Sequence, residues 1–425
     1  EWMIQTILAV TAVWAMATAT AATGRSQLTF YNFFRRRKME QTLTIGMAHH
    51  NDYDGAYFTI QDIKKELIFN QRWDLLEKIE FLIVENDPES SHAQALRNLE
   101  KQTQNLRIVD FSETEGTSAT RNKIVEEAKG NFVLVLDCHV LLCPVVKTLD
   151  KLFTFIEHNK NSSDLFSGPL IHENGVGRSS HYNDVWGGQM WGQWGNAWQC
   201  VCEAFNFSVK NDKPLATFVD LETQEKLTEC VYCGREFPQD MKFGQVGAYL
   251  NSEGFSRVGT KDCEAPFPIF AQGLGCFLTR KNSWLKFNEH ARGFGGEECY
   301  IHEKYRANGQ KCIYLPFLQW LHRFNRPQGV PYTLTAENKV RNYILEFLEL
   351  GKDISPIKKH FVEDSGFPSE SFEAIHDECL AIYGQQDNQD GKDLQKEIDE
   401  LNLKLKKLKH KKSKCSGKCK VNQSK

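Results

Sequence analysis

The sequence predicts a doubly wound, mostly parallel α/β sheet on three observations. Short apolar runs alternate with amphipathic segments from Leu43 onward. Each amphipathic segment is of a length to be a crossover helix, and a chain of 425 residues with 41% hydrophobic and 25% charged residues has globular composition. In order, residues 43–48 read as a strand, 59–69 as a helix, 79–84 as a strand, 92–102 as a helix, 106–110 as a strand, 119–128 as a helix and 132–136 as a strand. Ligands of such sheets bind beyond the C-terminal strand ends, so the residues that follow each apolar run are the ones to weigh.

One core rarely grows beyond about 250–300 residues, so this chain should carry material outside its sheet. Residues 164–270 are rich in Gly, Trp and Cys and show little periodicity, whereas 342–350 and 354–361 read as helices. Leu394, Ile398, Leu401, Leu405 and Leu408 follow the 4-3-4-3 spacing of a coiled-coil seam. It fits weak self-association through residues 394–408 or packing on the body. The resulting plan is a leader or extension at 1–38, a main domain at 39–345 divided near 145, a cysteine insertion at 198–238, a helical extension at 346–390, and a coiled coil with a Lys-rich tail at 391–425.

Residues 3–23 lie in an uncharged stretch about long enough to span a bilayer, which takes roughly 20 apolar residues. Arg35, Arg36, Arg37 and Lys38 follow it, so insertion would leave the body in the cytoplasm. The competing reading starts the protein at Met39 and treats the first 38 residues as non-native. The expected localisation is cytoplasmic, with a membrane tether if residues 3–23 are native.

Net charge is −3, yet residues 403–425 hold ten Lys and no acid, which leaves the rest of the chain at −13. A nucleic-acid-coating protein needs a broad cationic face, and this acidic body excludes one. The tail is a solvated end or a contact for an anionic partner. Thirteen Cys dispersed through a long chain read as reduced thiols with a metal site, not as a disulfide framework.

Cys200 and Cys202, followed 27 residues later by Cys230 and Cys233, have the two-pair layout of a zinc ribbon, where four thiolates close a tetrahedral site. Four buried free thiols are the alternative. Four Trp, at 186, 191, 194 and 198, lie among Gly residues and suit either stacking on a sugar or core packing beneath this insertion. The strand at 132–136 runs into Asp137-Cys138-His139. Side chains two apart on an extended chain point the same way, so Asp137 and His139 can hold one ion of the Mn²⁺ kind, or serve as a turn cap and a packed His. A second block, Gly293-Phe294-Gly295-Gly296-Glu297-Glu298, places paired acids after a Gly-rich turn. They read as a catalytic acid and a substrate-stabilising one, or as acids favoured by a helix dipole. His322, in Trp320-Leu321-His322-Arg323-Phe324, is a candidate third metal ligand.

The order of these blocks resembles the family 2 type glycosyltransferases of the GT-A fold. It rests on residues 43–50, Leu82 to Asn86, Gly116 to Asn122 and Leu136 to His139. The later blocks, Gln272 to Phe277, Gly295-Gly296-Glu297 and His322, resemble the polypeptide N-acetylgalactosaminyltransferase branch. The run Trp320 to Pro327 with Gly329 to Tyr332 is similar to bacterial and viral enzymes of this type. The resemblance spans residues 41–325 and implies a nucleotide-sugar donor, with UDP-sugars foremost, and a hydroxyl acceptor on a glycan, protein or other macromolecule. It further implies a divalent metal, Mn²⁺, held by Asp137, His139 and His322; donor contacts from His49, Asp52, Glu85, Asn86, Arg121, Asn122 and Asp137; and catalytic or sugar-binding roles for Glu297 and Glu298. Glu298 departs from the Asn or Asp of the relatives, which leaves retention or inversion open.

Two readings of other classes compete. One is a zinc-ribbon binding and assembly module on a catalytically silent α/β body, whose binding would follow the tail and fall steeply with salt. The other, a nucleotidyltransferase, calls for a Gly-rich phosphate loop after the first strand, and residues 47–52 offer none.

Overall fold

The computed structural model describes residues 41–384 apart from 113–115, 144–146, 174, 176, 260, 262, 326–328 and 330–332. The leader at 1–38, the coiled coil at 394–408 and the Lys-rich tail lie outside the described residues. No described helix is long and apolar enough to cross a membrane.

Strand β1 (Leu43–His49) pairs in parallel with both β2 (Ile79–Glu85) and β4 (Phe132–Asp137), and β2 pairs in parallel with β3 (Leu106–Asp110). Leu43, Ile45 and Met47 of β1 belong to one core with Ile60, Ile63 and Leu67 of the helix Tyr53–Phe69. The other face packs Val133 and Val135 of β4 against Ile124 and Val125 of the helix Thr117–Glu127. Helices thus cover both faces, which is why every residue of β2 is buried.

The sheet has eight strands, and beyond β4 the parallel rule ends. Cys276–Arg280 runs antiparallel to β4, Leu165–Ser167 antiparallel to that strand, Cys312–Tyr314 parallel to Leu165–Ser167, and Phe267–Pro268 antiparallel at the edge. The expectation of a mostly parallel sheet therefore holds for one half, and the sheet is mixed. Asp137 N–H donates to the carbonyl of Gly275, so the chain enters Cys276–Arg280 at the C-terminal end of β4 and must run back against it.

The aperiodic stretch 164–270 is not loop. His181–Gly187 and Met190–Gly195 form a hairpin, and Leu215–Asp220, Asn206–Asp212, Trp198–Gln199 and Ser256–Arg257 form a four-stranded antiparallel sheet beside the helix Phe243–Ser252. The cysteine unit thus runs to residue 257, past the expected 238. The apolar alternation of 164–270 is interrupted where His181, Asn183 and Ser208 are buried and satisfy one another by hydrogen bonds. At the other end the helix Ala336–Glu349 and a helix over 369–384 share a core with Trp186 and Trp191 through Tyr343, Phe347, Phe361 and Phe372.

Candidate active site

Strand order β3, β2, β1, β4 reverses the chain's direction of winding between β1 and β4, and a cavity of about 1050 Å³ opens at the C-terminal ends of these strands. Asp137 ends β4 there. The short strand β5 (Val140–Leu142) follows, and it pairs antiparallel with Trp320–His322 in a register that sets His322 against Val140. This register brings His322 next to His139 across 183 residues of sequence. Thr59 hydrogen-bonds the carbonyls of Cys138 and Val140 at 2.7 Å and fixes the turn from the helix side.

One ligand atom from each of Asp137, His139 and His322 lies within 4.8 Å of the others. The two imidazole Nε2 atoms are 3.1 Å apart, and each is 3.7–3.9 Å from Asp137 Oδ2. Two cis nitrogens bonded at about 2.1 Å to one ion would stand roughly 3 Å apart, so the set fits a divalent cation. Asp52 Oδ2 is 3.4 Å from His139 Nδ1, which leaves Nε2 as the inward nitrogen. Burial pushes the Asp137 carboxyl up, but the Arg121 guanidinium and the two imidazoles outweigh it and hold the group well below the usual carboxylate range.

Arg121 is nearly fully buried and donates at 3.0 Å to Asp137 Oδ1 and at 3.0 Å to Glu297 Oε1. Glu297 also accepts from Thr117 Oγ1 and from Gly295 N–H. It therefore faces the protein and closes the turn at the start of the helix Glu297–Ala307. Its neighbour Glu298 lines the cavity, where burial and the charge of Glu297 raise its pKa to about 8. The helix Thr117–Glu127 begins at Gly116, whose φ is 132°; a Cβ there would stand 2.7 Å from the backbone of Gly293, so glycine lets the two loops meet.

Among the expected donor contacts, His49, Asp52, Asn86, Arg121 and Asp137 line the cavity, and Glu85 and Asn122 do not. Glu85 Oε2 lies 2.6 Å from His49 Nδ1, and its Oε1 accepts from Asp87 N–H, bracing the loops after β1 and β2. Asn122 points the other way and ties its helix to Trp284 and Phe287. Of the four Trp, Trp194 alone lines the cavity; Trp191 and Trp198 are buried in cores. Tyr182, Arg292, Thr335 and Asn338 line the cavity without any signal in the sequence, and Phe324 lay in the motif read for His322.

Away from the cavity, Cys200, Cys202, Cys230 and Cys233 bring their sulfurs within 4.8 Å of one another. The Cys200–Cys233 and Cys202–Cys230 separations are 3.7 and 3.8 Å. Four thiolates bonded at about 2.3 Å to a tetrahedral zinc have S···S edges of roughly 3.8 Å. The set fits zinc.

Residues 44–204 match the family model for glycosyl transferase family 2. Over 99 residues, 22% of this chain, the sequence is 35% identical to an uncharacterized glycosyltransferase of Methanocaldococcus jannaschii. The chain spans 33% of that relative's length. Similar solved structures include GalNAc-T7 with UDP, GalNAc and Mn²⁺, at TM-score 0.44 and 14% identity, covering 79% of this chain and 56% of that one. Another is S. aureus TarS in complex with UDP-GlcNAc, at TM-score 0.40 and 13% identity, covering 76% and 71%. The match to glycosyl transferase family 2 covers residues 44–204, the segment that holds the parallel half of the mixed α/β sheet.

Proposed function

We propose that this chain is a metal-dependent glycosyltransferase that moves a sugar from a nucleotide-sugar donor, a UDP-sugar in the first instance, to a hydroxyl of a glycan, protein or other macromolecule. The observation that carries the reading is the convergence of Asp137 and His139, both inside the segment matched by the family 2 model, with His322 in a large cavity at the strand ends. A bound Mn²⁺ or similar ion supplies charge neutralisation for the departing diphosphate. Asp137, His139 and His322 would hold it, and Arg121 keeps Asp137 ionised and aimed. The polar rim formed by Asp52, Asn86 and Asp87 suits a nucleoside. Glu298 then takes the proton of the acceptor hydroxyl, a task for which a base titrating near working pH is suited. Zinc at the four cysteines orders the segment 198–257 and takes no part in the chemistry.

The test is binding and hydrolysis of a panel of UDP- and GDP-sugars with Mn²⁺ by the intact chain, with Asp137→Ala and His322→Ala beside it. Metal-dependent turnover lost in both variants supports the reading and names the donor. Absence of donor binding by intact, zinc-loaded protein would overturn it in favour of a silent binding module.

A further inference from the structure

We infer that the half of the cavity at Gly273, Leu274 and Gly275, where the chain enters Cys276–Arg280, is an acceptor subsite shaped for a carbohydrate, with Trp194 and Phe324 as its stacking surfaces. The inference rests on the transferase reading and names the acceptor class for the same site. The cavity has two unlike halves. Beyond β1 and β2 its walls are polar, with His50, Asp52, Asn86 and Asp87; across the metal-ligand triad they are aromatic, with Tyr182, Trp194, Trp320 and Phe324.

The aromatic half is held open and rigid. Tyr182 meets Trp194 edge-on at 4.3 Å and 68°. Trp194 lies over Gly273, where a Cβ would come within 2.9 Å of the indole Cη2, so any larger residue would displace the ring. Phe324 is 50% exposed and lies 3.9 Å from the ring of His322. His172 spans the gap, 6.2 Å from Trp194 and 6.5 Å from Phe324. Two aromatic faces therefore flank the ligand triad on the side away from the nucleoside rim. A pyranose presents an apolar C–H face to such rings and hydroxyls at its edge, for which Glu298, Arg292 and Asn338, which also line the cavity, offer partners. Among the described lining residues Arg121 and Arg292 are the only Arg or Lys, too few for a polyphosphorylated acceptor.

The test uses the full chain with Mn²⁺ and the donor that it hydrolyses, Trp194→Ala and Phe324→Ala, and two acceptor panels, neutral oligosaccharides and Ser/Thr peptides. We expect transfer to saccharides, saturation-transfer NMR contacts from saccharide protons to the intact chain, and a rise of about tenfold in saccharide KM in each variant, the effect of losing one aromatic contact. The UDP dissociation constant measured by calorimetry stays within about twofold, with Trp194→Phe restoring most of the saccharide affinity. Phe324 is at the surface, so its variant remains informative if Trp194→Ala does not fold. Transfer to peptides alone, or a weakening of UDP binding equal to that of the saccharide, overturns the inference, because aromatic rings also stack on bases. A chain that hydrolyses no donor removes the transferase reading itself, an outcome distinct from either.

Discussion

Arg121 joins three elements through one planar group: the helix Thr117–Glu127 that carries it, the end of β4 at Asp137, and the first turn of Glu297–Ala307. Arg121→Ala strands the buried carboxylate of Glu297 and the half-buried one of Asp137, and should cost about 3–5 kcal/mol in denaturant titrations. Arg121→Lys keeps the charge but cannot span both acids; the expected result is near-native folding with weakened Mn²⁺ affinity by calorimetry. For Glu298, whose pKa lies near 8, the base form grows as pH rises through that value. Transfer rate should therefore climb between about pH 7 and 9, and Glu298→Gln should flatten the climb and lower kcat by about 10²–10⁴-fold. At this scale the sequence was informative about residue type and silent about direction. Asp137, His139 and His322 stood out as candidates because ligand-type side chains follow apolar runs and match a known block order, and the structure brings the three together. Glu297 and Glu298 look alike in sequence, yet neighbours on a helix point about 100° apart, so one closes a turn and the other meets the cavity.

The cysteine unit carries its four thiols on two short turns, and its core is small beside that of the main sheet. One zinc per chain is expected by elemental analysis. Cys230→Ser should abolish it and open residues 198–257 to proteolysis, while the main α/β transition persists. The helix Thr148–His158 provides a second handle. Its Leu149 N–H donates at 2.8 Å to Glu66, a buried carboxyl that burial raises to about 7 from an ordinary 4.5. The folded chain therefore retains a proton that the unfolded chain has released, and stability falls as pH rises from about 4.5 to 7. Glu66→Gln should raise stability at pH 8 by on the order of 1–3 kcal/mol and do little at pH 4, read from melting curves at both values. Periodicity located the core strands and the helices after them to within a few residues. It started the first helix at 59 where the structure starts it at Tyr53, although Asp52, which caps it by accepting from Gly55 N–H, was in view. It failed in 164–270, where strands of two to seven residues carry Gly and inward polar side chains and no period survives.

Across the whole molecule, two half-sheets of different grammar meet at β4, and the ligand triad stands on the seam. UDP with Mn²⁺ at about 100 times its dissociation constant should add roughly 2.7 kcal/mol to stability, whereas UDP without metal should shift Tm little. The parallel half was legible because each strand, crossover and return is local in sequence. The other half was not, because its strands come from Leu165–Ser167, Phe267–Pro268, Cys276–Arg280 and Cys312–Tyr314 and find their order only in three dimensions. That spacing also sets a schedule. Asp137 and His322 are made far apart in time: at translation rates of about 5–20 residues per second, some 10–40 s separate them on the ribosome. Until the strand Trp320–His322 docks on β5, the nascent chain has at most two of its three ligands. On the proposed reading, a chain not yet made as far as residue 322 would be inert toward its donor, and metal capture would report that the long excursion between β5 and His322 has closed.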